Sequence, residues 1–441
     1  MPEIKENPPI KKIILPFQSF FQAEAAGGIL LLIFTAAALI WANSAFKESY
    51  FGLWHTNISI NFGNSGLSYS LHHWINDGLM VVFFFLVGLE IKREFLVGEL
   101  STRQKASLPV AGALGGMILP AVIYALFNSG SKGSAGWGIP MATDIAFVIG
   151  IFALLGPKVP LSLKVFITAL AIADDIGAVL VIAFFYTSEI SLLSLLVAFL
   201  FLILLIVSNI LGVRSVLIYL VLGIGLWLAF LKSGIHTTIA GVILAFTIPA
   251  TIRINSLQFF RQGKELLDDF DKAGEETEST LTNEERLSIV QSLEHNCKIA
   301  ITPLQRFESA LHPWISFFVM PLFAFANAGV EIKENIFSSL TEPVSLGIIA
   351  GLFLGKQLGI FSFSWLAIKA GIASKPEGVS WKNIYPACIL AGIGFTMSLF
   401  IANLAFGENE LLNIGKVGIL SGSLLSGITG YFLLKSSLKK L

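Results

Sequence analysis

Long apolar stretches, separated by short polar segments, follow one another along almost the whole chain. A helix of roughly 20 apolar residues can cross the hydrocarbon core of a bilayer, so the pattern predicts about twelve membrane-spanning helices. The predicted spans are residues 25–42, 75–97, 106–127, 134–156, 161–187, 190–210, 214–231, 235–252, 309–330, 344–369, 382–406 and 411–434. We therefore expect an all-α polytopic membrane protein whose termini lie on the same side.

Composition agrees with a membrane protein. Hydrophobic residues make up 55% of the 441 residues and charged residues 13%, against about 25% charged in soluble domains. The 29 basic residues balance the 29 acidic ones, so no surplus of positive charge indicates a nucleic-acid partner. Most Lys and Arg fall on the side of the termini, which predicts that both termini are cytoplasmic. Residues 1–24 are then a cytoplasmic segment, and residues 25–441 form a single transmembrane domain.

Two segments between the predicted spans have patterns of their own. Residues 56–71 contain two alternating runs around a Gly/Asn turn, which predicts a β-hairpin outside the membrane. Its free edge either pairs with a second subunit or rests on its own helices. Residues 253–307 form the long loop, predicted as a cytoplasmic linker with one amphipathic helix from Asn283 to Cys297, capped by Thr282 or Asn283.

Four ionisable residues lie near the middle of predicted spans. Asp174 and Asp175 are adjacent in the fifth span, Asp144 lies in the fourth, and Lys356 lies in the tenth. Charged groups at this depth are costly, and they usually face a cavity and handle an ion or a proton. A structural pair neutralised by a neighbouring helix is the alternative. We also expect Lys356 to pair with Asp174, because a lone buried ammonium needs a partner.

The fourth and eleventh spans carry signs of interruption. Pro140 lies in the fourth, and Gly392 and Gly394 lie in the eleventh. A broken span exposes carbonyls and helix ends that can meet ions, although a mere kink is the alternative. Asp144 could offset the positive helix ends and Lys356 the negative ones. Each break is the middle of a triplet of spans, and the two triplets start from opposite sides, as an inverted repeat requires.

Several motifs resemble the NhaA family of sodium/proton antiporters. They are Ala142–Phe147, Ala171–Ala178, Ser233–Gly241, Leu311–Trp314, Pro321–Gly329 and Gly392–Ser398. The resemblance implies crossed, broken fourth and eleventh helices, a core bundle from residues 106–187 and 344–434, and an interface part from residues 25–97 and 235–330. It also implies a homodimer joined partly through the hairpin. This family is itself a known case of inverted repeats, so that agreement is not independent.

The resemblance also implies roles for individual residues. Asp174 and Asp175 would bind the ion, with Thr143, Asp144 and Lys356 beside them. The residues implied in the pH response are Glu90, Arg93, Glu94, Glu308 and His236. An interfacial salt-bridge network and a packing histidine are the alternatives for this second group. Ser309 stands where the best-known member has a histidine, and the 253–307 loop is longer here, so any regulation can differ.

The implied activity is pH-regulated exchange of Na+ or Li+ for protons across the bacterial inner membrane. Na+ and H+ are transported substrates, and no cofactor motif is present in the sequence. Exchange would be electrogenic if Lys356 loses its proton as Na+ binds. The rivals are an intramembrane aspartyl protease using Asp174 and Asp144, and a cation channel. Neither gives a role to both Asp175 and Lys356.

Overall fold

The structure is a computed structural model, and it describes residues 26–62, 65–187, 190–252, 254–273, 283–331 and 336–439. The predicted segment 1–24 lies outside these residues. The helices in chain order are α1 (Ala26–Ala42), α2 (Lys47–His55), α3 (Leu71–Val97), α4 (Arg103–Asn128), α5 (Ile145–Leu155), α6 (Leu161–Phe185), α7 (Leu192–Ile210), α8 (Val216–Leu231), α9 (Thr238–Thr247), α10 (Ser256–Lys272), α11 (Glu284–Ala300), α12 (Pro303–Asn327), α13 (Ile336–Thr341), α14 (Pro343–Lys369), α15 (Trp381–Leu390), α16 (Phe395–Phe406) and α17 (Glu410–Leu438). Strands β1 (Asn57–Phe62) and β2 (Ser65–Ser70) follow α2, and 3-10 helices at Lys132–Met141 and Gly156–Lys158 flank α5.

Each predicted span has a helical counterpart in the described part of the chain. Eight helical segments there are long and apolar enough to cross a membrane, and the count rises to ten if two bent pairs are each taken as one span. The pair α1–α2 is bent by 113° and the pair α15–α16 by 43°. The shorter apolar helices α8 and α9 correspond to the predicted seventh and eighth spans. The predicted polytopic helical architecture is confirmed.

The predicted hairpin is also confirmed. Strands β1 and β2 are antiparallel, with Ile58 opposite Tyr69 and Ile60 opposite Leu67. The turn itself lies outside the described residues. Because alternate residues of a strand share a face, Ile58 and Ile60 lie side by side, and both are 43% exposed. The hairpin therefore presents an apolar strand face to its surroundings.

The long loop contains a second helix that the sequence analysis did not predict. Helix α11 begins after Asn283, whose side chain accepts a hydrogen bond from the Arg286 amide, as expected for one of the two proposed caps. Residues 256–272 were expected to be charged linker, but they form α10, capped in the same way by Asn255. The prediction of a single helix was wrong. The many charged residues in 256–272 made the segment look like a linker, although its apolar residues recur at helical spacing. Residues 253 and 274–282 lie outside the description.

The fourth and eleventh spans are interrupted where Pro140, Gly392 and Gly394 predicted. The fourth is a 3-10 helix that ends at Met141, followed by α5 from Ile145. Residues 391–394 separate α15 from α16. The two breaks touch, because the Asp144 amide donates to Ile393 O at 2.6 Å. A Cβ on Gly392 would lie 2.3 Å from the backbone oxygen of Leu352, so the chain at this break needs glycine to pass α14 closely.

Helix α14 contains an irregular turn, and it packs closely against α4. Gly351–Gly355 form a π-helical turn, in which the Lys356 amide bonds to Gly351 O five residues back. One turn further on, a Cβ on Gly359 would lie 2.1 Å from Gly115 O of α4. Small residues four positions apart, here Gly355 and Gly359, let two membrane helices approach closely. This contact holds α14 against α4 next to the ionisable residues.

Candidate ion-binding site

A buried ion pair joins α6 to α14. Lys356 Nζ donates to Asp174 Oδ2, and the two side chains are 0% and 1% exposed. The predicted pairing of these residues is therefore present. Thr143 Oγ1 lies 2.7 Å from the same carboxylate oxygen and 2.9 Å from Ala391 O. Its single proton can be given to only one of these two acceptors at a time.

The helix ends at the crossing are compensated by residues other than Lys356. The sequence predicts that Lys356 could offset negative helix ends, whereas in the structure its hydrogen bond goes to Asp174. The carbonyl of Ala391, the residue after α15, instead accepts a hydrogen bond from the hydroxyl of Thr143. A charged donor is drawn to the nearest full negative charge more strongly than to the partial charge of a helix end.

Asp144 caps two helices at once, as predicted for the positive ends. Its Oδ1 accepts from the Phe147 amide at 3.4 Å, at the start of α5. Its Oδ2 accepts from the Thr396 amide at 3.1 Å and from the Thr396 hydroxyl, at the start of α16. A carboxylate is stabilised near helix N-termini because the unpaired amides there carry partial positive charge. Asp144 thus ties the fourth span to the eleventh.

Asp175 faces a cavity of about 1100 Å³. Thr143 and Asp144 line the same cavity. Asp174 Oδ1 and Asp175 Oδ1 are buried, and neither has a hydrogen-bond partner among the described residues. No group of three or more His, Cys, Asp or Glu side chains in that part of the chain can hold a metal ion. The two carboxylates and the Thr143 hydroxyl together offer the oxygen atoms that a hard monovalent cation or a proton can use.

A charged cluster lines the same cavity, close to the C-terminal end of α3 and the start of α12. Glu90, Arg93 and Glu308 all line it. Arg93 Nη1 donates to Glu308 Oε1, and Arg93 Nη2 lies 3.4 Å from Glu94 Oε1. Glu94 also accepts from the Glu99 amide at 2.8 Å. Four of the five residues implied in the pH response are thus brought together, in an arrangement that is also a salt-bridge network between α3 and α12.

His236 lies apart from this cluster. Its Nε2 is 3.5 Å from Asp77 Oδ1, and its Nδ1 is 2.9 Å from Thr238 Oγ1. The ring also meets Phe400 of α16 edge-on at 5.4 Å between centroids. His236 therefore packs between α3 and α16, and it does not line the cavity that contains Asp175.

A buried asparagine network, missed by the sequence analysis, joins three helices. Asn327 of α12 donates to Asn76 Oδ1 of α3 and accepts from Asn403 Nδ2 of α16, both at 2.9 Å. His72 Nε2 lies 3.0 Å from the same Asn327 oxygen. Asn327 is 0% exposed. Amide side chains inside apolar spans were the available signal, but only the tertiary contacts show that they meet.

Broken helices that cross beside buried carboxylates, one of which lines a cavity, define a polytopic membrane transporter for a small cation. The family model described as Na+/H+ antiporter 1 matches residues 18–434. The chain belongs to this family.

Relatives of high identity extend over nearly the whole chain. The Na(+)/H(+) antiporter NhaA of Koribacter versatilis is 51% identical over 422 residues, which are 96% of this chain and 91% of that protein. The protein of the same name from Oleidesulfovibrio alaskensis is 49% identical over 431 residues, covering 98% and 96%. That of Helicobacter pylori is 47% identical over 418 residues, covering 94% of each chain.

Proposed function

We propose that this protein exchanges Na+ for protons across the bacterial inner membrane. Its membership of the family supports exchange of these ions, and the adjacent carboxylates Asp174 and Asp175, of which Asp175 lines the cavity, supply a chemical basis for it. Asp174 and Asp175 are the proposed ion site, with oxygen from Thr143. The observation that carries the proposal is the cavity that reaches Asp175, where a carboxylate oxygen has no partner among the described residues.

Exchange follows from competition for one pair of carboxylates. A carboxylate can hold a proton or contribute negative charge to a bound Na+, and it cannot do both fully. Na+ then binds only as protons leave, so higher pH favours Na+ binding from the cavity side. The same competition on the opposite side of the membrane reloads the site with protons. Coupling needs no cofactor, because Na+ and H+ are themselves the substrates.

The Asp174–Lys356 pair makes electrogenic exchange the consistent scheme. Na+ near Asp174 competes with the ammonium of Lys356 for the same negative charge. If Lys356 gives up its proton when the pair breaks, more than one proton leaves for each Na+ that enters. An inside-negative membrane potential would then drive Na+ out of the cell.

Asp144 has a supporting role in this scheme. Both of its oxygens accept hydrogen bonds at helix N-termini, one of them from Thr396. A carboxylate engaged in this way is poorly available as an ion ligand. We assign it to holding the crossed breaks together and to balancing their positive ends, with Pro140, Gly392 and Gly394 shaping the chain around it.

Alternating access would move the core bundle, residues 106–187 and 344–434, against the interface part. The cavity reaches the site from the end of the molecule that carries Arg93 and Glu308. Elsewhere between these two parts, the side chain of Asn403 in the core bundle donates a hydrogen bond to Asn327 in the interface part. We propose that the cavity is the cytoplasmic entrance and that this asparagine contact closes the outer side. Both termini are then cytoplasmic, in agreement with the distribution of Lys and Arg.

The remaining assignments concern regulation, selectivity and assembly. The ion-paired residues Arg93, Glu94 and Glu308, with Glu90 beside them, would set the pH response at the entrance, and His236 would act from its separate contact with Asp77. Li+ is a further substrate, because it too is a small cation that prefers oxygen ligands. The exposed strand of the hairpin would pair with a second copy of the chain to form a homodimer within the lipid bilayer.

The rival activities find little support in the geometry. An aspartyl protease needs two carboxylates that face each other and share a proton. Here Asp174 is paired with Lys356, and Asp144 is held by Thr396 and by a helix end. A cation channel would need neither a buried lysine nor a carboxylate pair that competes for protons.

The exchange assay uses everted membrane vesicles with an acid interior. Added NaCl should dissipate the proton gradient in vesicles that contain the wild type, and Asp175→Asn should abolish the response while the protein stays folded. Glu285→Gln, an exposed acidic residue on α11, is the matched control. Sodium-driven proton efflux near the wild-type level in Asp175→Asn would reject the assigned site. Repeating the assay with LiCl and KCl tests the selectivity.

A further inference from the structure

Helix α10 exposes a row of apolar side chains that its partner helix leaves uncovered. Leu257, Phe260 and Leu267 lie three, then seven, residues apart on one side of the helix and are 60%, 67% and 60% exposed. The neighbouring side of α10 faces α11, where Arg286 lies over the Phe270 ring at 5.1 Å. The helical hairpin formed by α10 and α11 therefore does not bury this row itself.

Charge is distributed unevenly along α10. Its first half, Ser256–Lys264, contains Arg261 and Lys264 and no acidic residue. The second half contains Glu265, Asp268, Asp269 and Asp271 against a single lysine. Within the described part of the chain, neither Arg261 nor Lys264 has an ion-pair partner. The half with the exposed Leu257 and Phe260 is thus also the basic half.

The same half of α10 is attached next to the membrane. The apolar helix α9 ends at Thr247 and α10 starts at Ser256, so only a short connection separates them. The Leu304 amide, at the start of the membrane helix α12, donates to Pro249 O within that connection at 3.2 Å. This bond holds the connection beside the end of a membrane span. The acidic half of α10 lies further along the chain.

We propose that the first half of α10 lies on the cytoplasmic leaflet of the bilayer and binds anionic lipid headgroups. Leu257 and Phe260 would enter the boundary between headgroups and acyl chains, with Arg261 and Lys264 meeting the phosphates. An interfacial helix is recognised by an apolar face, flanking basic residues and a polar opposite face. Anionic lipids attract the basic half and repel the acidic half, so the helix is held at one end and tilts away at the other.

Site-directed fluorescence on the full-length protein tests this placement. In a Cys297→Ser background, where the remaining Cys388 is buried, Phe260→Cys is labelled with an environment-sensitive probe. Gln258→Cys, on the opposite side of α10, is the matched control. The protein is reconstituted into phosphatidylcholine vesicles with and without phosphatidylglycerol. We expect lipid-attached nitroxides to quench the probe at 260 and not at 258, with several-fold weaker quenching by aqueous iodide at 260.

The outcomes separate the bilayer from other occupants of this surface. Equal iodide quenching at 260 and 258 would overturn the proposal. Protection at 260 that ignores phosphatidylglycerol and is lost on dilution in detergent would assign the surface to a second copy of the chain and would also overturn it. A double variant, Arg261→Gln with Lys264→Gln, should abolish the effect of phosphatidylglycerol on the probe at 260. If that effect persists, the two basic residues do not bind the headgroups.

Discussion

A double-mutant cycle on Lys356 and Asp174 tests whether the buried ion pair holds the site together. Removing one partner of a buried pair strands the other charge and destabilises a protein by about 3–5 kcal/mol. Both side chains are fully buried here, so this range applies without a discount for solvent. For 441 residues, with an unfolding entropy near 2.1 cal/mol/K per residue, the fall in Tm is roughly 3–5 °C.

The variants are Lys356→Met, Asp174→Asn and the double variant, each measured by thermal unfolding in one detergent. Replacing both charges avoids the stranded ion, so the double variant should lose less stability than the sum of the single losses, by about 0.5–3 kcal/mol. Lys298→Met is the matched control. Its partner Glu294 lies one turn away on an exposed helix surface, so we expect no measurable change. Additive losses in the cycle would refute the reasoning, and so would an equal loss in the control.

Three further predictions concern transport. Glu308→Gln breaks the pair with its arginine partner, so the dependence of apparent Na+ affinity on pH should change in the vesicle assay, and an unchanged profile would leave the cluster a purely structural role. Asn403→Leu removes a hydrogen bond across the proposed outer closure. A cysteine introduced at the buried Phe323 should then react faster with an impermeant thiol reagent added from outside, and an unchanged rate would remove the asparagine contact from gating. A Na+ concentration jump on a supported membrane should give a transient current in the wild type and a reduced one in Lys356→Ala, whereas exchange without any current would reject the electrogenic scheme.

Local signals in the sequence predicted much of this architecture. Span lengths follow from apolar runs, and the breaks at Pro140 and Gly392–Gly394 follow from residues that interrupt helices. The need of Lys356 for a carboxylate partner was predictable from energetics, because a buried ammonium at mid-membrane is costly. Asp174 lies at the same depth, but so do Asp144 and Asp175, so depth alone did not select the partner.

Features that depend on tertiary contact could not be predicted in this way. The meeting of Asn76, Asn327 and Asn403 requires three spans to pack side by side, and no pattern within one span encodes that. Helix α10 was missed for a different reason. Its acidic second half looks like a solvated linker when charge is counted, although the apolar residues recur with helical spacing. The hydrogen bond from the Thr143 hydroxyl to Ala391 O likewise depends on how the two broken spans cross, which no local pattern encodes.

The wide turn before Lys356 determines the direction in which this side chain points. Because the Lys356 amide bonds five residues back, the turn holds one residue more than a regular α-helical turn. Each residue of an α-helix advances the direction of its side chain by about 100°, so the second half of α14 is rotated by roughly that angle. Lys356 and Gly359, which meet Asp174 and Gly115, both lie on this half. The alignment of the ion pair thus depends on the number of residues in the turn. A changed side chain at the exposed Leu354 can leave the pair intact, whereas loss of a single residue would rotate Lys356 and Gly359 together away from their partners.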